Sequence, residues 1–165
     1  MKKLSLWALA CLIFCACSSN SENELQAPTV KIIQLANETE EHDGHEMALV
    51  EAGEELYLNA ALNAENGIKS YKIDIHFGEG HDHDHRVKST GKEWQYAQTV
   101  EVDGNPKTLS IDENIVTVPE MIDGEEIAEG KYHFAIYVID QLGNEDKTFQ
   151  DLLIHHHEHD HDHDH

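Results

Sequence analysis

Histidine is clustered in this chain. There are 14 His among 165 residues, and the largest group ends the sequence as His155-His156-His157-Glu158-His159-Asp160-His161-Asp162-His163-Asp164-His165. A second group, His81-Asp82-His83-Asp84-His85, alternates in the same way, and a smaller one is His42-Asp43-Gly44-His45-Glu46. His76 and His133 stand singly in stretches of alternating apolar residues. In an extended chain, side chains two residues apart point the same way and lie roughly 6.5–7 Å apart. Two imidazoles so placed can turn onto one ion at the ~2.0–2.1 Å of a zinc–nitrogen bond. The intervening Asp can ligate, or can accept the other ring N–H and fix the tautomer. A His run interleaved with Asp also differs from a uniform purification tag. Imidazole with carboxylate and no thiolate suits Zn²⁺, with Cu²⁺ and Ni²⁺ as alternatives, better than Cu⁺.

Thiolate is absent from this chemistry because of where the cysteines fall. Cys11, Cys15 and Cys17 all lie in the first 17 residues. Met1-Lys2-Lys3 is basic, an apolar run of about a dozen residues follows, and Ala16 precedes Cys17 and a polar Ser18-Ser19-Asn20-Ser21. That order resembles a bacterial lipoprotein signal, cleaved before Cys17, which then carries the lipid. Phe14 and Cys15 depart from the usual pattern, and an ordinary secretory signal is the alternative. The expected organisation is a signal peptide over 1–16, lipidated Cys17 with a flexible tether over 17–27, a domain over 28–155, and a metal-binding His/Asp tail over 156–165. An exported domain without disulfides must stand on its apolar core.

Charge narrows the partners. Eleven Lys and Arg stand against 33 Asp and Glu, a formal charge of -22. Nucleic acid and anionic lipid both require basic surface, so neither is an expected partner. With 39% hydrophobic residues, the chain can fill one small core. No apolar run reaches the roughly 20 residues of a membrane-spanning helix.

The elements that must position the histidines read as short strands. Candidates are 29–35, 54–62, 68–77, 93–102, 108–111, 115–118, 131–140 and 147–155, with turn signals at Asn66-Gly67, Asp103-Gly104-Asn105-Pro106, Asp123-Gly124 and Gly143-Asn144. The stretch 54–65 also suits a helix by propensity, and its alternation of Leu56, Leu58 and Ala60 decides for a strand. About seven short strands at this spacing predict an all-β fold, an antiparallel β-sandwich. The run Gly130-Lys131-Tyr132-His133-Phe134 through Asp140-Gln141-Leu142-Gly143-Asn144 resembles the penultimate strand and turn of bacterial Ig-like domains. If 68–77 and 131–140 pair as in such a sandwich, Tyr71, Ile73, Ile75 and Phe77 share a core face with Tyr132, Phe134, Ile136 and Val138. Asp74, His76 and His133 then fall together on the outer face, with His155 or His157 on the neighbouring last strand.

The Cys17 signal, the stretch Asp74-Ile75-His76-Phe77 with His81, His83 and His85, and Tyr132-His133-Phe134 with Asp140 and Gly143-Asn144 resemble the Bacteroidota lipoproteins of domain of unknown function 4625. The resemblance spans roughly 28–155 and implies an Ig-like fold and an envelope location. It brings no established chemistry with it.

The sequence therefore predicts a non-enzymatic outer-membrane lipoprotein that binds a divalent metal ion, Zn²⁺ first, for capture, buffering or delivery to an outer-membrane transporter. The expected ligands are Asp74, His76, His81, His83, His85 and His133, with His42, His45, His155, His157, His159, His161, His163 and His165 as further binding capacity. The competing expectation is an Ig-like surface module binding protein or glycan, with the histidines incidental. The sequence has no Gly-x-Ser-x-Gly elbow and no phosphate-binding loop, so an enzyme is not expected.

Overall fold

Alternation decides the architecture. In Glu55–Asn63 the side chains of Leu56, Leu58, Ala60 and Leu62 are buried, while the residues between them are not. In Gly130–Asp140, Tyr132, Phe134, Ile136 and Val138 are fully buried on one face. Each such strand is half a sandwich: one face needs a partner sheet and the other meets water.

A computed structural model describes residues 26–42, 44–78 and 91–156. Among them are eleven strands: β1 (Thr29–Leu35), β2 (Glu38–His42), β3 (His45–Glu51), β4 (Glu55–Asn63), β5 (Ile68–Phe77), β6 (Gln95–Glu101), β7 (Thr108–Thr117), β8 (Met121–Ile122), β9 (Glu125–Glu126), β10 (Gly130–Asp140) and β11 (Glu145–His155). One sheet is β1-β4-β7, the other β2-β3-β11-β10-β5-β6, and β8-β9 is a small hairpin. The expected all-β sandwich is the observed fold. The core is filled by Leu56, Leu58 and Leu62 of the small sheet against Ile73, Ile75, Phe134, Ile136 and Leu152 of the large one.

Three details differ from the expectation. The sandwich is not wholly antiparallel, because β3 runs parallel to β11 with Leu152 opposite Ala48 and Ile154 opposite Val50. Residues 38–51 are an added hairpin, β2-β3, where the sequence suggested a loop carrying His42 and His45. The pieces at 108–111 and 115–118 are one strand, β7, whose exposed Asp112-Glu113-Asn114 hides its continuity. Within the stretch 54–65, Glu55–Asn63 is strand, as its alternation indicated.

Two polar anchors fix the ends of β10. The Tyr132 hydroxyl donates to the carbonyl of Ala128 at 2.7 Å, and its ring packs against Phe77 and Trp94 at centroid distances of 5.2 and 6.2 Å. A tyrosine at the start of this strand, bonded to backbone just upstream, is a feature of Ig sandwiches. Burial pushes the phenol up to about 12. At the other end the Asp140 side chain is fully buried. It accepts from the backbone N–H of Leu142 and Asn144 and from the amides of Asn144 and Asn66, at 2.8–2.9 Å. One carboxylate thereby ties the β10–β11 turn, where Gly143 has φ 85°, to the turn after β4. Burial pushes this carboxyl up, and those four hydrogen bonds together outweigh it and hold it below the ordinary value.

Candidate functional site

Period-two alternation that turns Tyr132, Phe134, Ile136 and Val138 of β10 and Leu152 and Ile154 of β11 into the core turns the odd-numbered residues of both strands to the opposite face. The registers carry this outward face across the large sheet. His42 opposes His45, Glu40 opposes Met47, Leu49 opposes Leu153, Asp151 opposes His133, and His133 opposes His76. Directly opposed residues share a face. His42, His45, His76, His133 and His155 therefore all lie on the outer face of one sheet.

The centre of that face is a paired arrangement. The His76 and His133 rings are 5.6 Å apart between centroids, at an interplanar angle of 62°. Nδ1 of His76 lies 3.0 Å from Oδ1 of Asp74, and Nδ1 of His133 lies 3.0 Å from Oδ1 of Asp151. An ionised carboxylate only accepts, so each Nδ1 carries the proton and donates it. The second oxygen of each carboxylate takes a lysine: Lys72 Nζ at 2.9 Å from Asp74 and Lys131 Nζ at 2.7 Å from Asp151. For Asp74, the hydrogen bond from Lys72 leads; with help from His76 it holds the carboxyl below the ordinary range despite partial burial. For Asp151, burial pushes upward, and Lys131 and His133 outweigh it.

Each Nε2 is then left with its lone pair. Nε2 of His133 stands over Gly78, whose backbone N–H donates to the carbonyl of Lys131. Both rings are partly exposed, with side-chain accessibilities of 47% and 38%. Imidazoles whose other nitrogen is held by a carboxylate are arranged as metal ligands commonly are.

Three further described histidines, His42, His45 and His155, are on this face but separate. His42 and His45 close the β2-β3 hairpin across residues 43 and 44, with Gly44 at φ 78°. β3 is two strands from β10, about 10 Å at the usual spacing. His155 lies 3.5 Å from the Glu40 carboxylate. It is four residues along β11 from Asp151, or about 13 Å. His155 thus joins the expected face but not the His76–His133 pair. Among the described residues, no group of three or more His, Cys, Asp or Glu is arranged to hold one metal ion. His81, His83 and His85, the tail residues His157, His159, His161, His163 and His165, and Cys17 lie outside the described residues.

The sequence put Asp74, His76 and His133 on one outer face, as the register shows, and did not single out Asp151, Lys72 or Lys131. Alternation along β11 puts Asp151 outward, but only the β10–β11 register sets it beside His133. The sequence counted His156 with the tail, and the structure packs it against the sandwich. That side chain bonds to the carbonyl of Ile127 at 2.9 Å and lines an open cavity of about 410 Å³ with Glu51, Glu54, Glu120 and Glu126.

No curated protein matches the chain. The model of a family described as a domain of unknown function (DUF4625) matches residues 15–155, and the chain belongs to that family.

Proposed function

We propose that this protein is an envelope-anchored, non-enzymatic lipoprotein that captures a divalent transition metal, Zn²⁺ first, for buffering or for delivery to an outer-membrane transporter. The observation that carries this reading is the His76–His133 pair, with each Nδ1 held by its own carboxylate and each Nε2 lone pair left over. Asp74 and Asp151 are already engaged by lysine, so the pair offers nitrogen donors. Such a donor set favours Zn²⁺, Cu²⁺ and Ni²⁺ over Ca²⁺ and Mg²⁺. Two protein ligands leave positions open, which suits a site that hands its ion on.

The sequence offers further ligands in His81, His83 and His85, which lie outside the described residues. The tail supplies further capacity at lower affinity. The lipid anchor of this reading rests on Cys17 and the basic and apolar residues before it.

The test is titration of the domain with Zn²⁺ at neutral pH, alongside the His76→Ala/His133→Ala variant. The parent is expected to bind at micromolar concentration or tighter and the variant to lose its tightest event. Absence of binding by the parent would overturn the reading.

One observation favours the second reading, an interaction module for protein or glycan. Phe149 is 60% exposed on the same face, beside Tyr137, with Lys147 over both rings. An aromatic surface of this kind can stack on a sugar or a partner side chain. Capture of an envelope partner that ignores both chelator and loss of the histidines would favour this reading over the first.

A further inference from the structure

The two histidines of the outer face are served by matching chains of side chains. One runs Lys72–Asp74–His76 and stays on β5. The other runs Lys131–Asp151–His133 and crosses from β10 to β11 and back. In both, the ammonium takes Oδ2 and the imidazole Nδ1 takes Oδ1, with lysine distances of 2.9 and 2.7 Å and histidine distances of 3.0 Å. The same constellation has been assembled twice, from residues of different strand and spacing.

We infer that Lys72 and Lys131 are positioning residues: each clamps one carboxylate so that its free oxygen fixes the tautomer and orientation of His76 or His133, keeping Nε2 as the available donor. The inference rests on the metal-binding reading for its use, but not for its geometry. The carboxylates are only partly covered, with side-chain accessibilities of 26% for Asp74 and 38% for Asp151. A carboxylate at such a position can rotate about χ2 and turn to water. An ammonium on Oδ2 removes that freedom and leaves Oδ1 aimed at the ring. Free imidazole side chains favour the opposite tautomer, with the proton on Nε2, so an imidazole released from its carboxylate drifts away from the ligating form.

The strands provide the rigid frame this requires. Ala135, nearly fully buried, stands opposite Asp74 and is too small to displace the carboxylate. Lys72 is also held from the other side, 5.5 Å from the centre of the Tyr137 ring. On the second chain, the β10–β11 register places Asp151 directly opposite His133 and next to Lys131 on one face.

The experiment uses Lys72→Met and Lys131→Met, which keep an apolar stem and remove the charge, with Lys→Arg at each position as rescue. Long-range proton–nitrogen correlation spectra of the metal-free protein at about pH 8, above the unperturbed imidazole pKa, report the tautomer of each histidine. In the parent, His76 and His133 are expected to carry Nδ1–H. Lys72→Met is expected to shift His76 toward Nε2–H and leave His133 unchanged, and Lys131→Met to do the converse. Each variant thereby controls for the folding of the other. Arginine is expected to restore the parent spectrum, because it also donates to the carboxylate.

Zinc titration of the same proteins should show weakening of roughly threefold to tenfold in each Met variant, at or below the lower end of what loss of a ligand's direct partner costs. Unchanged tautomers in both Met variants overturn the inference, even if zinc binds the parent well. Tautomer shifts as expected with no zinc bound by the parent uphold the positioning role and overturn the metal reading.

Discussion

Gly78 and His133 are in such close approach that any larger side chain at 78 requires the imidazole to shift. A methyl group built on Gly78 would lie 2.9 Å from Nε2 of His133 and 3.2 Å from the carbonyl oxygen of Lys131. The first contact is to the end of a side chain and the second to backbone. Gly78→Ala should therefore displace the imidazole more than it disturbs the sheet. We expect zinc affinity to fall about tenfold, as for other losses of ligand orientation. The cost in stability should stay under about 1 kcal/mol. Titration and thermal unfolding of the one variant measure both. Affinity equal to the parent's would show that Nε2 of His133 takes no part.

The buried Asp140 carboxylate should prove the most sensitive polar residue of the fold. Asparagine in its place can still accept from two backbone N–H groups. Its own NH₂, however, would meet the donors of Asn66 and Asn144. We expect Asp140→Asn to cost about 2–3 kcal/mol in denaturant unfolding at neutral pH. The pH dependence has a definite sign. The folded carboxyl is held below its ordinary value, so the folded chain binds fewer protons there than the unfolded one. This stabilisation is complete above the unfolded pKa of about 3.9 and is lost as pH falls through the folded value. The gap between parent and variant should narrow in acid. A gap that stays constant from neutrality to about pH 2.5 would mean that the lost network is not one of charge.

The β5 and β10 faces were legible in the sequence because both strands are half-buried and alternate strictly. Tyr71, Ile73, Ile75, Tyr132, Phe134, Ile136 and Val138 are all buried, as their spacing implies. That alternation sufficed to place Asp74, His76 and His133 together. β2 was illegible for the opposite reason. Glu38-Thr39-Glu40-Glu41-His42 is an exposed edge strand with no apolar residue, and a charged edge is how sheets avoid pairing with other chains. Its hairpin signal was the Asp43-Gly44 dipeptide alone. The Asp151–His133 contact depends on β10–β11 register, which a slip of one residue would have abolished. The Glu40–His155 contact depends on the parallel β3–β11 pairing, which no local pattern announces.

Metal affinity should fall with acid. The ligand is neutral imidazole, so protons compete with metal as pH approaches the unperturbed value near 6.5. Zinc binding measured from about pH 7.5 to about 5.5 should weaken progressively across that window. Carboxylate ligands would remain ionised throughout. Affinity that stays flat would therefore assign the ion to Asp and Glu and remove histidine from the site.

Deleting residues 158–165 should lower the number of ions bound without harming the fold. Ile154 is fully buried and β11 ends at His155, so the deleted residues lie beyond the last core side chain. Unfolding should shift by no more than about 0.5 kcal/mol, as for changes away from packed positions. His76 and His133 sit on adjacent strands and lose little ordering entropy on binding, whereas many equivalent ligands on a chain terminus lose more. Truncation should accordingly keep the tightest event and remove weaker ones. Replacing His81, His83 and His85 by Ala in the full chain should do the reverse, weakening the tight event while sparing the tail's capacity. Isothermal titration of the two variants separates these contributions. If truncation abolishes all binding and the triple variant binds like the parent, the sandwich serves only to carry the tail, and the His76–His133 pair is not the site.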